Sequence, residues 1–300
     1  SHEDWGSLRV GAFPTRGWSV ADYPYGTNIG VPDAWGSSGA GYGLLGHAVR
    51  YMTRKLDVLD GDLVLEASYD QGKPGWKKNK PSFVEIYAQF VNGDLVVDAM
   101  AQVARNGEPV AWGHAPFGGL TPFSQDDSKL GSSGQSMLMA MARYQVNAKI
   151  EVSGGLRFNR WSGAYAVQTT TGAQGQWNSM FNVDWGGTRD GVANPGYAAT
   201  STDLMLGLRY RMGPWIASTG MVYLGQAKTD NPSERGQSNT LLVNTVGLHY
   251  DFGNGLLVYS SGGRAEYRHK GLAPLSMPAH NAYTNIDSRV AKRGLWAGFG

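Results

Sequence analysis

Three hundred residues with 41% hydrophobic and 17% charged content can bury one sizeable core, and a formal charge of +2 without a basic stripe leaves no electrostatic footprint for nucleic acid. The absence of cysteine removes disulfides, thiolate zinc sites and thiol catalysis together. Glycine is abundant at 43 residues, aromatics reach 11%, no apolar run approaches the roughly 20 residues of a membrane helix, and no shift in composition divides the chain, so residues 1–300 read as one all-β domain.

In chain order, period-two alternation predicts about twelve strands, near residues 5–14, 43–53, 61–70, 82–91, 94–105, 135–145, 148–159, 201–212, 214–226, 239–252, 255–268 and 288–300. Their connections alternate in length. Long segments fall at 14–42, 71–81, 106–134, 160–200, 228–238 and 269–287, while tight turns fall at Asn92 and Gly93, Val146 and Asn147, Met212 to Pro214, and Gly253 to Gly255. The turn near 54–60 is looser. Such alternation gives an up-and-down meander with one elaborate rim and one plain rim, and an even strand count places both termini on the plain side.

Many strands share an ending in which a charged residue stands between apolar neighbours and an aromatic closes the run: Val49, Arg50, Tyr51; Ala142, Arg143, Tyr144; Leu156, Arg157, Phe158; Leu208, Arg209, Tyr210. In extended chain the charge faces one side and the apolar groups the other. One face would then carry sets such as Leu63, Leu65, Ala67 and Tyr69, or Leu204, Leu206, Leu208 and Tyr210. The other would carry Arg9, Arg50, Glu66, Glu85, Asp98, Arg143, Glu151, Arg157, Arg209, Arg211, Asp251, Arg264 and Glu266. So many ionisable groups are costly to bury dry. A transmembrane antiparallel β-barrel resolves the conflict, with an apolar wall in lipid and a wet lumen.

Several stretches resemble the Gram-negative general porins, in particular those of β-proteobacteria: Trp5 to Gly11 (WGSLRVG), His47 to Tyr51 (HAVRY), Met141 to Tyr144 (MARY), Asp203 to Tyr210 (DLMLGLRY) and Arg293 to Phe299 (RGLWAGF). The resemblance covers most strands and little of the loops. It implies a sixteen-stranded barrel, association into homotrimers in the outer membrane with its lipid and lipopolysaccharide, and a loop after the fifth strand that folds inward to narrow the pore. The segment 14–42 corresponds to that loop, which would make the chain strands five to sixteen, without the last few residues; a natural barrel of about twelve strands is the other arrangement. The implied function is passive diffusion of ions and small hydrophilic solutes, with no covalent chemistry and no cofactor. The implied constriction sets Asp22 and Asp33 of the inward loop against Arg9, Arg50, Arg143, Arg157 and Arg209, with Glu66, Glu85 and Asp98 also lining the pore. Opposed charges across a narrow aqueous passage bias ion selectivity. The competing reading is that these arginines pair with Glu66, Glu85, Asp98 or Glu151 and brace the wall.

Other motifs carry less. Gly41 to Gly46 (GYGLLG) matches a dinucleotide-binding pattern but opens a strand, where that site needs a helix. The six histidines lack ligand spacing, so no metal site is expected from them. Asp126 and Asp127 read as a solvated loop tip rather than a calcium site, and Lys77, Lys78 and Lys80 as a solvated basic spot. Two rival functions remain: an outer-membrane barrel enzyme of phospholipase or protease type, for which no G-x-S-x-G is present, and a structural or adhesive barrel whose lumen is plugged, which the large inward side chains Met137, Met139, Met141 and Trp296 allow.

Overall fold

The computed structural model describes residues 3–22, 35, 44–72, 75–78, 80–105, 133–163, 187–189, 192–194, 198–229, 239–269, 280–281, 286–287 and 291–300. Its elements in chain order are β1 (Ser7–Pro14), α1 (Arg16–Asp22), β2 (Leu44–Met52), β3 (Leu56–Val58), β4 (Gly61–Asp70), β5 (Ser82–Asn92), β6 (Leu95–Arg105), β7 (Ser133–Gln145), β8 (Ile150–Gly163), β9 (Gly187–Arg189), β10 (Val192–Asn194), β11 (Ala198–Met212), β12 (Trp215–Leu224), β13 (Lys228–Thr229), β14 (Leu241–Asp251), β15 (Leu257–Tyr267), β16 (His280–Asn281), β17 (Ile286–Asp287) and β18 (Arg293–Phe299).

One 14-stranded sheet holds the chain together in the order β1-β2-β4-β5-β6-β7-β8-β11-β12-β14-β15-β18, with β3 added to β4 and β13 to β11. Every ladder is antiparallel, and each long strand pairs with its predecessor and successor in the meander. The twelve strands expected from alternation are all present. β1 and β18 end the order, and among the described residues no ladder joins them. No described helix is long and apolar enough to cross a membrane.

Register explains why the two faces differ. One hydrogen-bonded row runs Leu65, Ala88, Ala99, Ala140, Leu156, Leu204, Tyr223, Leu242. All of these point outward, and Leu65, Leu138, Leu156, Phe158, Leu204, Leu206, Leu208 and Tyr210 are exposed large apolar groups. The neighbouring inward row runs Glu66, Tyr87, Met100, Met139, Arg157, Asp203, Leu224, Leu241, Tyr267. Every member of it is buried. A water-soluble sheet would bury the first row, because about 25 cal/mol is gained for each Å² of apolar surface removed from water; here the apolar surface is the outside.

The core lies on the concave face. Val20 and Ala21 of α1 and Trp35 pack with Tyr87, Met100, Met137, Met139, Met141, Met205, Val222, Leu224, Leu241, Val243, Ala265 and Tyr267 in one cluster, against which Trp296 also packs. Methionine suits this role, since its flexible thioether fills irregular gaps between a curved wall and an inserted segment. Gly155 makes room for the insertion: a Cβ there would stand 3.0 Å from Met141, Met205 and the Trp35 ring. A second cluster of Phe13, Leu45, Ala48, Phe83 and Ala104 closes the β1–β2 side.

The short rim is built from the expected turn residues. Asn92 pairs with Leu95 across Gly93 and Asp94, and Gly93 holds φ 53°, the left-handed conformation a two-residue hairpin needs. The looser connection near residue 54–60 resolves into β3 and a second two-residue turn, in which Leu59 (φ 49°) and Asp60 (φ 59°) both adopt left-handed conformations.

Candidate pore constriction

The segment that follows β1 turns inward at once and is fixed to the wall by side chains of β2, β4, β5 and β6. Thr15 is buried and caps α1, its Oγ1 accepting the Trp18 N–H at 3.3 Å. The carboxylate of Glu85 accepts the next amides, from Arg16 at 2.9 and 3.0 Å and from Gly17 at 3.1 Å, so that the unpaired donors of the first turn meet a negative charge. Arg16 then folds back onto Glu66, donating from Nε at 2.7 Å and Nη2 at 2.5 Å. Alternation points Glu66 and Glu85 to the same face of neighbouring strands, which is why one short helix can engage both.

Arg50 completes this network. Its Nη2 donates to Glu85 at 3.2 Å and to the Pro14 carbonyl at 3.1 Å, its Nε donates to Ser68 at 2.7 Å, and Glu66 lies 3.5 Å away. Its guanidinium also stacks 4.5 Å from the Phe13 ring, with Arg9 on the same ring at 5.0 Å. Gln102 donates to Glu85 at 2.6 Å, and Asp98 accepts from Tyr87 at 2.5 Å and from Gln89 at 2.9 Å. Two arginines thus face two buried glutamates in a hydrogen-bonded set; Arg50 is buried with them, while Arg16 closes the set from its partly exposed side, and such pairing is the condition under which buried charge is tolerated.

Trp35 provides the second anchor of the inward segment. Its carbonyl accepts from Arg157 Nη1 at 3.0 Å, its indole Nε1 donates to the Met141 sulfur at 3.1 Å, and the Arg157 guanidinium lies 4.5 Å from its ring. Arg157 is fully buried and donates to Asp203 at 2.9 and 3.0 Å; Asp203 also accepts from Asn159 at 2.8 Å and from the Gly225 amide at 3.0 Å.

Nearer the short rim the wall is wetter. Arg209 sits directly across from Glu151 in the ladder and pairs with it at 2.9 Å, while Arg143 approaches the same carboxylate at 3.9 Å. The side chains of Arg143, Glu151 and Arg209 are 34%, 18% and 19% exposed, so this group reaches solvent and is screened more than the fully buried pairs.

The sequence-derived candidates therefore separate. Arg50, Glu66, Glu85, Asp98 and Arg157 are drawn into the buried network, where the bracing interactions weighed above are present; Arg143 and Arg209 share Glu151 at a half-exposed site; Arg9 is exposed beside Phe13. Asp22 ends α1, but its side chain, all of Asp33, and Asp126 and Asp127 lie outside the described residues. Leu44 to Gly46 open β2, so the glycine-rich motif leads into a strand. Two expectations are corrected. Inward ionisable groups do not all need a wet lumen, because Arg50 and Arg157 are buried with partners. Arg264 and Glu266 do not face inward, because Ala265 and Tyr267 take the buried positions of β15.

Sequence reading missed Arg16, Trp35, Asn159 and Asp203. Arg16 opens a seven-residue helix and Trp35 lies outside every strand, so strand alternation assigns neither of them a face. Asp203 and Asn159 could have been found by extending the alternation of Leu204, Leu206 and Leu208, and of Leu156 and Phe158, one residue further.

No family model and no curated protein matches the chain. Among solved structures it is similar to the outer-membrane expressed OmpT of Vibrio cholerae, with a TM-score of 0.57 and 14% identity over 98% of this chain and 76% of that one. It is also similar to the outer membrane channel DcaP of Acinetobacter baumannii, with a TM-score of 0.50 and 10% identity over 97% of this chain and 70% of that one. The fold is that of the outer-membrane β-barrels.

Proposed function

We propose that the chain is a passive-diffusion porin of the Gram-negative outer membrane, related to the general porins and working as a homotrimer, with no catalytic chemistry and no cofactor. The observation that carries this reading is the pairing of an apolar outer wall with an inner wall to which a chain segment is fixed by Glu66, Glu85, Arg50 and Arg157. A segment held inside a barrel by buried ion pairs narrows the passage without filling it by chance, and the half-exposed Arg143 and Arg209 lie where passing ions would meet them. Small hydrophilic solutes and ions are the matching permeants. The DcaP channel among the structural neighbours supports the fold on which this reading rests.

One observation favours a plugged structural barrel instead: the apolar cluster around α1 and Trp35 reaches from β5 to β15, interrupted only at β8, where Arg157 takes the inward position. Planar-bilayer recording separates the two. Stepwise conductance proportional to salt is expected for the porin; a silent bilayer from correctly inserted protein would favour the plug, and silence with lipid or peptide hydrolysis would favour a barrel enzyme.

A further inference from the structure

The outer wall changes character at its last two strands. Along the outward row of Leu65, Ala88, Ala99, Ala140, Leu156, Leu204, Tyr223 and Leu242, the next two positions are Glu266 of β15 and Arg293 of β18. Along the adjacent outward row, Leu206 and Met221 are followed by Asn244 and Arg264. Arg264 donates to Glu266 at 2.7 Å, and Arg293 donates to the other oxygen of the same carboxylate at 2.7 Å. Both guanidiniums are open to the surroundings, with side chains 50% and 67% exposed. Arg268, also exposed, continues the alternation one step past β15.

These charges stand on the face that every neighbouring strand offers to hydrocarbon. They also stand at the end of β15 and the start of β18 that border the long connection, so they lie at the elaborate rim. Three arginines and one glutamate leave the patch cationic by two. An arginine carries five N–H donors in a planar fork; Glu266 takes one from Arg264 and two from Arg293, and the carboxylate thereby orients both forks side by side.

We propose that Arg264, Arg293 and Arg268 form a docking site for the phosphate of a lipid headgroup in the outer leaflet, with Glu266 holding the two principal guanidiniums in place. Charge complementarity selects the occupant: planar guanidiniums match phosphate oxygens bidentately, and only an amphiphile presents that anion at the level of an outer-wall residue while covering Leu242 and Leu295 beside it with acyl chains. The site rests on the outer-membrane reading above, but not on the channel.

The test uses full-length protein reconstituted into phosphatidylcholine nanodiscs, with bisphosphorylated lipid A or its dephosphorylated form added. The readouts are thermal unfolding and lipid binding by native mass spectrometry. Lipid A is expected to raise the unfolding temperature and the dephosphorylated form to leave it unchanged. R264Q/R293Q is expected to weaken lipid A binding about thirty-fold, at about 1 kcal/mol for each arginine near a charged lipid surface, with unchanged conductance and unchanged stability in phosphatidylcholine alone. E266Q is expected to weaken lipid A binding less than R264Q/R293Q does, because the guanidiniums keep their charge and lose the carboxylate that aligns them; a merely bracing ion pair would predict lower stability and no change in binding. If R264Q/R293Q does not fold, R264K/R293K keeps the charge and is expected to bind lipid A more weakly than the native pair. An equal effect of both lipid A forms, full retention of the shift in R264Q/R293Q, or a change of oligomeric state in that variant without lipid A would overturn the site. Failure of the native protein to insert would overturn the membrane reading with it, whereas normal insertion and conductance without a phosphate-dependent shift would overturn the site alone.

Discussion

Arg50 and Arg143 occupy the same sequence pattern, an apolar residue before and a tyrosine after, and both point into the concave face; yet Arg50 is 6% exposed and Arg143 is about one-third exposed. The pattern sets the direction of the side chain, through strand alternation, and nothing more. What differs is the covering. Over Arg50 lie α1, Phe13 and two carboxylates; Arg143 has one distant carboxylate, and its Nε has no hydrogen-bond partner among the described contacts. The first arginine is therefore part of the architecture, and the second is available to the electrostatics of a passage.

The comparison breaks most strongly at Glu85. Glu85→Leu removes the acceptor of two helix amides, of Arg50 and of Gln102, leaving the buried Arg50 with Glu66, Ser68 and the Pro14 carbonyl. Removing one partner of a buried pair costs about 3–5 kcal/mol. The expected outcome is a lowered unfolding temperature, new protease cleavage within the segment after Pro14, and larger single-channel conductance. Unchanged protection from protease would show that α1 is held by something other than this network.

Arg157 is the second place to test whether buried charge means architecture. Arg157→Met leaves Asp203 buried with Asn159 and the Gly225 amide as donors, at an expected cost of about 3 kcal/mol. The double variant R157M/D203L is expected to recover most of it, since an ion pair replaced by apolar groups of similar volume is often neutral. A chemical-denaturation cycle over the two single variants and the double variant reads the coupling. Additive losses would mean that the pair is not what holds Trp35.

Arg143→Gln with Arg209→Gln tests the other half of the comparison. Partly exposed pairs contribute about 0–1 kcal/mol, so stability is expected to stay within that range. Reversal potentials under a salt gradient are expected to move toward cation preference, because positive charge leaves the wall. Arg50→Gln, by contrast, is expected to change stability first and selectivity only through movement of α1. A selectivity shift at Arg50 alone would invert the assignment.

The fold was legible because alternation is a local signal: every long strand and the parity of the loops follow from which residues face which way. The site was legible in part, for a reason that the two arginines make plain. Alternation says that Arg50, Glu66, Glu85 and Asp98 share a face, but which of them are dry depends on where Arg16 and Trp35 come to rest, and those lie outside the strands and are placed by long-range contacts. At Arg264 and Glu266 the same rule misled because charge was equated with the inside. The facing of β15 is set by its register with Leu241 and Val243, which bury Tyr267 and Ala265 and leave the charges outside.

The turn between β3 and β4 offers a control that touches neither cluster. Leu59 and Asp60 both hold left-handed conformations, and leucine has no side-chain hydrogen bond to offset the steric cost; type I′ turns of this geometry favour Asn-Gly. Leu59→Asn with Asp60→Gly is expected to raise stability by about 1 kcal/mol, read as a higher denaturation midpoint. The strand that this turn starts carries Glu66, so a better turn also reports whether stiffening β4 reaches the network. Conductance and reversal potential are expected to stay at native values, because Glu66 is already fixed by Arg16 and Arg50 six residues further along the strand, about 20 Å away at about 3.3 Å per residue. A selectivity change from this turn would mean that the buried network and the half-exposed arginines are mechanically one unit, and that the contrast between Arg50 and Arg143 is one of degree.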